Sequence, residues 1–351
     1  MNKVSRRGRG SVTIEDVARA AGVSAMTVSR VVNKERNVRE ETRQNVLETI
    51  GRMNYSPNTA ARSLAAGDAT HIGLLYSNPS AAYLSQFLVG ALEAAREAGC
   101  HLVIEACESE NESEQCEVAR RFANADAEGV ILPPPLSESV PILTELALSD
   151  TPVVTVAMGK LYPNALNVRI DDFAAAKQMT EYLIGLGHSR LGFIKGHPAQ
   201  IASAERERGF MAAVTDAGIG KENISIEQGY FTYRSGLEAA ERLLDQPGRP
   251  TAIFASNDDM AAAVVGVAHR RSLDVPKDLS VVGFDDTAPA TTVWPELTTI
   301  RQPVSAMAAK ALELLLGELK IHRRGRTGTS QEAILDHELV IRESAGPPPA
   351  D

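Results

Sequence analysis

The chain has 351 residues, enough for two or three domains and a sizeable core, and its 44% hydrophobic content is ordinary for a globular protein. No apolar run approaches the ~20 residues of a membrane span, and three cysteines, Cys100, Cys107 and Cys116, are too few and too irregular for a disulfide framework or a zinc site. The net charge of −9 is unevenly divided: residues 1–67 carry twelve Lys/Arg against six Asp/Glu, a balance of +6, which leaves −15 on the remainder. One polyanion-binding end on an acidic body is the expectation. The opening "MNKVSRRGRG" has no apolar signal-peptide core, so a reduced cytoplasm is expected.

From Thr13 the pattern turns helical. Ile14, Val17, Ala18 and Ala21 recur at i, i+3, i+4 and i+7, with Thr13 as N-cap and Glu15 and Asp16 in the first turn. Gly22 supplies a tight turn and Ser24 a second N-cap. Val28 and Val31 give the next helix its buried side, leaving Ala25, Met26, Ser29 and Arg30 outward. Two short helices joined by a glycine turn make a helix-turn-helix, whose second helix can enter the major groove. Val46, Leu47, Ile50 and Met53 are expected to close a small three-helix core. Pro57 and Gly67 bracket a following segment too short to be a stable helix alone.

Here the residues carry a resemblance. "VTIEDVARAAGVSAMTVSRVVN", "YSPNTAARSLA", "GHSRLGFIKG", "FASNDDMAAAVV", "LSVVGFDD" and "LTTIRQP" resemble, in order and spacing, the LacI/GalR family of bacterial transcription regulators, over nearly the whole chain. The resemblance implies that 57–65 is a hinge helix that folds when two subunits meet on operator DNA. Leu64 matches the family's leucine wedged into the minor groove, a role that suits an apolar side chain able to unstack and kink a base step. Asn58 and Ala61 are expected to face DNA on the same segment. Ala25 and Met26 match two variable positions facing base edges, where thymine offers a methyl group, and Arg30 can take guanine bidentately. Thr13, Ser24, Thr27, Ser29, Asn33 and Tyr55 suit phosphate contacts, which fix register without reading sequence.

Past residue 70, apolar runs alternate with helical stretches: "HIGLLY", "HLVIEAC", "GVILPP", "PVVTVA", "NVRI", "RLGFIKG", "SIEQGY", "TAIFASN" and "LSVVGFDD" read as strands. About eleven strands alternating with helices mean parallel sheets in two similar halves. The fold class expected is an all-α helix-turn-helix headpiece plus an α/β two-subdomain body resembling a periplasmic sugar-binding protein, with three connections between subdomains. "LTTIRQP" and the helix after it would return to the first half, and "AILDHELVIRE" would close the second. The domains expected are 1–56 (headpiece), 57–70 (hinge and linker), 71–345 (effector-binding and dimerisation body) and 346–351 (tail).

In open α/β sheets ligands sit beyond the carboxyl ends of the strands. That rule selects Asn78, Pro79, Ser80, Tyr83, His197, Arg206, Phe231, Asn257, Asp258 and Asp285. By the resemblance, Arg206, Phe231, Asn257 and Asp285 match effector-binding positions, and Tyr83 a position used by some members. Directional polar groups beside aromatic faces suit a sugar. Asn257 also caps the following helix, Asp258 belongs to that helix's N-terminal electrostatics rather than to the ligand, and His197 reads as a loop residue. Where some members have an aspartate after the fourth strand, this chain has Ala157.

A phosphate-cradling glycine loop, a nucleophile elbow and a metal-spaced His/Cys cluster are all missing from the sequence, so an enzyme is not expected, nor a cofactor or metal. A transported solute-binding protein is disfavoured by the basic headpiece. The expected partners are double-stranded operator DNA of pseudo-palindromic sequence, a small effector, a sugar, and a second copy of the chain, with no membrane. The expected function is a repressor released by its sugar; the alternative is a corepressor-dependent regulator or activator responding to a non-sugar ligand.

Overall fold

The structure is a computed structural model describing residues 14–32, 38–53, 70–108, 111–123, 127–159, 166–323 and 330–349. The chain divides into two compact units, 1–69 and 70–351.

In the first unit, α1 (Ile14–Ala21), α2 (Ala25–Val32) and α3 (Glu40–Arg52) enclose a core of Val17, Ala18, Ala21, Val28, Val31 and Val46. Gly22 adopts φ +69° between α1 and α2, a conformation glycine takes without the cost a Cβ would impose. Two sequence expectations need correcting. Leu47 is 48% exposed, and Thr49 takes the buried position on α3 instead. Ala25 is not outward: it is half-buried against the headpiece core, because the first residue of α2 leans back over the turn.

The second unit holds two six-stranded sheets. The first is built from β1 (His71–Tyr76), β2 (His101–Ala106), β3 (Gly129–Leu132), β4 (Val153–Val156), β5 (Leu166–Arg169) and β11 (Gln331–Ile334), in the order β11-β5-β4-β3-β1-β2. The second uses β6 (Leu191–Lys195), β7 (Ile224–Gln228), β8 (Ala252–Ala255), β9 (Ser280–Asp285), β10 (Thr298–Arg301) and β12 (Glu338–Val340), in the order β12-β10-β9-β8-β6-β7. Pairing is parallel throughout except for β12 against β10. Parallel strands need helical crossovers. The first half supplies α4 (Ala81–Ala98), α5 (Glu112–Ala123) and α6 (Val140–Leu148). The second half supplies α7 (Asp172–Gly185), α8 (Ile201–Asp216), α9 (Tyr233–Leu244), α10 (Asp258–Arg270) and the short α11 (Ala288–Thr292). After β10 the chain returns through α12 (Val304–His322), which packs on α4, β3, β4 and β5.

The closing segment corrects the sequence reading. "AILDHELVIRE" is not one strand of the second half: β11 joins the first sheet beside β5, and β12 joins the second beside β10. The break lies at Leu335–His337, between the two strands. With β5 to β6 and β10 to β11, this gives three crossings between the halves.

The end of the chain is pinned under the second sheet by His188. Its ring contacts Thr251 Oγ1 (2.8 Å) and Ser280 Oγ (3.1 Å), and Nε2 donates to the Gly346 carbonyl (2.9 Å). Burial holds this imidazole below its ordinary 6.5. The unfolded chain therefore takes up the proton more readily, so the stability His188 contributes is present above 6.5 and is lost as pH falls below it, through the lower folded value. Thermal unfolding of wild type should show this acid-side loss, and His188→Gln should flatten it.

Candidate effector cleft and DNA-reading helix

On the headpiece, Ser24 caps α2: its Oγ accepts the Thr27 amide at 3.2 Å and lies 2.9 Å from Thr27 Oγ1. Met26 is 65% exposed, so it does not pack into its own core and presents a free apolar side chain at the leading end of α2. Arg30 is exposed one turn later, with Thr27 and Ser29 half-buried. Thr13, Asn33, Tyr55, Asn58, Ala61 and Leu64, and with them the hinge segment, lie outside the described residues.

In the body, a cleft opens between the carboxyl ends of the two sheets. It is lined from the first half by Asn78, Pro79, Ser80, Tyr83, Pro134 and Ala157, and from the second by Gln200, Ala202, Arg206, Phe231, Asn257, Asp285 and Gln302. Arg206 organises its floor. Nε donates to Asp172 Oδ1 at 2.8 Å, Nη1 donates to the Ser256 carbonyl at 2.5 Å and stands 3.8 Å from Asp285 Oδ1. The guanidinium carbon lies 3.6 Å from the centre of the Phe284 ring and 5.6 Å from that of Phe231. A planar cation held by two carboxylates and stacked on a ring is rigid, because its fork is already oriented.

Asp285 ends β9 with φ 110°, and Asp286 and Phe231 follow their strands with φ 56° and 59°. Positive φ on non-glycine residues is costly and tends to cluster where a site must be shaped. The result here is a sorting of neighbours. Asp285 faces the cleft and accepts Gln302 Nε2 at 2.6 Å, while Asp286 turns away to Arg301 and Arg342, both at 2.7 Å. Phe231 lies against Gly196, where a Cβ would collide with its ring. Asn257 caps α10 by accepting the Met260 amide (3.0 Å) and donates to the Phe231 carbonyl (3.0 Å), so both ends of its amide are occupied.

Two polar atoms at the cleft have no partner: Tyr83 Oη and Gln302 Oε1 are buried without a hydrogen bond. Such atoms are costly to leave unpaired. Burial, with the carboxylates of Asp285 and Asp172 nearby, pushes the Tyr83 phenol upward, so it stays a neutral donor. Asp285 is pushed up to about 7 by burial, against the opposing pull of Arg206.

Residues 13–58 match bacterial regulatory proteins of the lacI family, and residues 180–345 match a periplasmic binding protein-like domain. Over 337 residues the chain is 34% identical to catabolite control protein A of Priestia megaterium, covering 95% of this chain and 99% of that protein. The chain belongs to the LacI family.

This LacI-family chain is also 34% identical over 335 residues to the HTH-type transcriptional repressor PurR of Photobacterium profundum, covering 95% of this chain and 98% of the relative. Among solved structures it resembles a complex of the transcriptional regulator CelR with cellobiose, at 29% identity and a TM-score of 0.70, over 95% of this chain and 99% of that one. It also resembles the lac repressor dimer bound to operator and the anti-inducer ONPF, at 26% identity and a TM-score of 0.70, over 96% and 100%. The protein is thus a DNA-binding transcription regulator with operator DNA and a small-molecule effector as its partners, and not an enzyme.

Of the residues singled out in the sequence for the LacI-type effector site, Tyr83, Arg206, Phe231, Asn257 and Asp285 all line the cleft. Asp258 does not: it is fully buried beneath, accepting Thr287 N (2.8 Å) and Thr299 Oγ1 (2.7 Å). His197 packs edge-on against Tyr230 in its loop. Ala157 lines the wall where a carboxylate was missed, at φ 56°. Gln302 escaped notice although it stands in the quoted "LTTIRQP", because its unpaired oxygen is created by distant packing. Gln200 and Pro134 also line the cleft and were not singled out.

The raised Asp285 carboxyl has the opposite stability sign to His188. Its folded form holds a proton that the unfolded form, near 3.8, releases, so its stabilising share is lost as pH rises through about 7. Thermal scans of Asp285→Asn should lack the fall that wild type shows across that range.

Proposed function

We propose that this regulator is a repressor whose operator affinity is lowered by a small sugar bound between the two halves of the body. The observation that carries the reading is the set of groups left for a ligand. The unpaired Tyr83 Oη and Gln302 Oε1, together with Asp285, offer mainly acceptors and one hydroxyl around the Phe231 face. Hydroxyls on a ring meet all of them. The likeness to a regulator solved with cellobiose supports it.

The free space in the cleft is about 40 Å³. A cavity that takes benzene is on the order of 150 Å³. A sugar ring therefore enters only as the halves move apart, and that movement alters the spacing of the hinge segments of two subunits. The dimer contact is proposed on the first half, where Val89 and Leu92 of α4 and Val103 and Ile104 of edge strand β2 are exposed. A regulator that binds operator DNA is proposed to act in the cytoplasm.

On DNA, Met26 is proposed to touch base edges, Arg30 to take guanine, and Ala25, half-buried, to let α2 approach closely. Ser24, Thr27 and Ser29, with Thr13, Asn33 and Tyr55, fix the phosphates. Leu64 is the proposed wedge, flanked by Asn58 and Ala61. Leu64→Gly should weaken binding to the specific site on the order of tenfold or more while leaving non-specific binding nearly unchanged, since unstacking a base step costs a few kcal/mol that the wedge must offset. Equal losses on both DNAs would refute the wedge.

The test of the reading as a whole is operator release. The chain's own site is recovered by selection in vitro, and mono- and disaccharides are titrated against the complex at fixed salt, because phosphate contacts make affinity salt-dependent. Release by one sugar supports the proposal. Tightening by a sugar would make it a corepressor system, and a panel without effect would refute the sugar.

A further inference from the structure

The two halves also meet through polar groups to which no ligand role has been given. Glu138 ends the short turn Leu136–Glu138 of the first half. Its carboxylate reaches the second half and accepts the Ile201 amide, at 2.9 Å to Oε2 and 3.2 Å to Oε1. Ile201 is the first residue of α8, and its amide is among those a helix cannot pair internally. Gln200 stands at the N-cap and makes no side-chain capping bond. The cap of this sixteen-residue helix therefore comes from the opposite half, and it carries a negative charge where the helix dipole favours one.

The fit around this contact is close. The Gly159 amide donates to Glu138 Oε1 at 3.4 Å, and a Cβ on Gly159 would collide with the Ile201 side chain. Only glycine lets the end of α8 come so near. Elsewhere along the cleft, Ser80 Oγ donates to Asp259 Oδ2 at 2.6 Å, and Gln86 Nε2 donates to the Asp286 carbonyl at 3.2 Å. Ser80 meets a carboxylate through a single hydroxyl and Gln86 meets a carbonyl, whereas Glu138 offers its charge to the end of a helix in the opposite half.

We propose that Glu138 is a latch, capping α8 of the second half from the first half, that stabilises the closed arrangement of the cleft. With free space of about 40 Å³ in this closed arrangement, a ring-sized ligand has to part the contact to enter. The latch sets how much of the effector's binding energy is spent on opening, and so sets the effector concentration at which the regulator responds. Only this last consequence rests on the function proposed above; the closure itself does not.

The test uses the full-length protein carrying Ala202→Cys, whose thiol lies on the cleft wall and replaces no side-chain hydrogen bond. Position 202 is 7% exposed, so iodoacetamide reaches it only when the halves part, and mass spectrometry of the cleaved protein separates it from Cys100, Cys107 and Cys116. Adding Glu138→Ala, which removes both acceptor oxygens, should speed this alkylation about tenfold or more, the factor expected for losing a hydrogen bond to a charged group. Gly159→Ala, which wedges the same contact with a methyl group, should do likewise. An unchanged rate in Glu138→Ala overturns the latch, since it would mean that Glu138 caps α8 without holding the cleft; should that variant not fold, Gly159→Ala decides in the same way. Operator affinity of the same variants tests the reading beneath. It falls if the closed form is the one that holds DNA. Faster alkylation with unchanged operator affinity would keep the latch and overturn release by opening.

Discussion

Arg206→Ala should abolish the response to effector and destabilise the body by about 3–5 kcal/mol, the range for removing one partner of a buried ion pair. The guanidinium is 5% exposed and serves Asp172, the Ser256 carbonyl and Asp285 at once while stacked on Phe284. Without it, Asp172 is left buried without its hydrogen-bonded cation and with only the weaker pull of Arg169, and burial already raises that carboxyl above its ordinary value. Thermal unfolding should therefore drop by about 10 °C or more, given ~2–4 °C per kcal/mol for a domain of this size. Arg206→Lys should fall between, because an ammonium keeps the charge but loses the fork and the flat face. If a folded Arg206→Ala protein still releases operator on adding its effector, Arg206 has no part in the response.

Gly209→Ala should damage the body almost as much, without touching the cleft. Gly209 lies where α8 presses on α7, and a Cβ there would collide with the Phe173 carbonyl oxygen and approach Lys177 N at 2.9 Å. Both are backbone atoms of a helix, which cannot swing aside as a side chain would. Overpacking typically costs ~1–3 kcal/mol, and a clash with backbone belongs at the upper end or beyond. Calorimetry should show the body transition lowered and that of the headpiece unmoved, since the two are separate units. A body as stable as wild type would mean that α7 and α8 can slide apart at little cost.

The sequence made most strands legible because parallel strands covered on both faces are continuous apolar runs, such as "HIGLL" and "SVVGF". The edge strands β11 and β12 carry no such run. β11 reads "QEAI" with three exposed residues and β12 reads "ELV" with none buried, so their assignment to different sheets was invisible. At the cleft, residues following strands were found by rule, and Arg206 by its place on the next helix. Gln302 and Glu138 were not. The first matters through an oxygen that packing leaves unpaired, the second through a helix end more than sixty residues away, and local pattern reports neither. The half-burial of Ala25 was missed for a related reason: helical periodicity fixes a direction around the axis and says little about the first residue after a turn.

The threefold crossing between the sheets has a mechanical meaning. Two bodies joined by one tether can swivel freely, and two tethers leave a door on a hinge. Three tethers narrow the motion further, toward a shallow rocking. Whatever occupies the cleft is therefore recorded as a tilt, and the displacement it causes grows with distance from the tethers. A change too small to disturb the packing of either half becomes largest at the parts lying furthest from the axis.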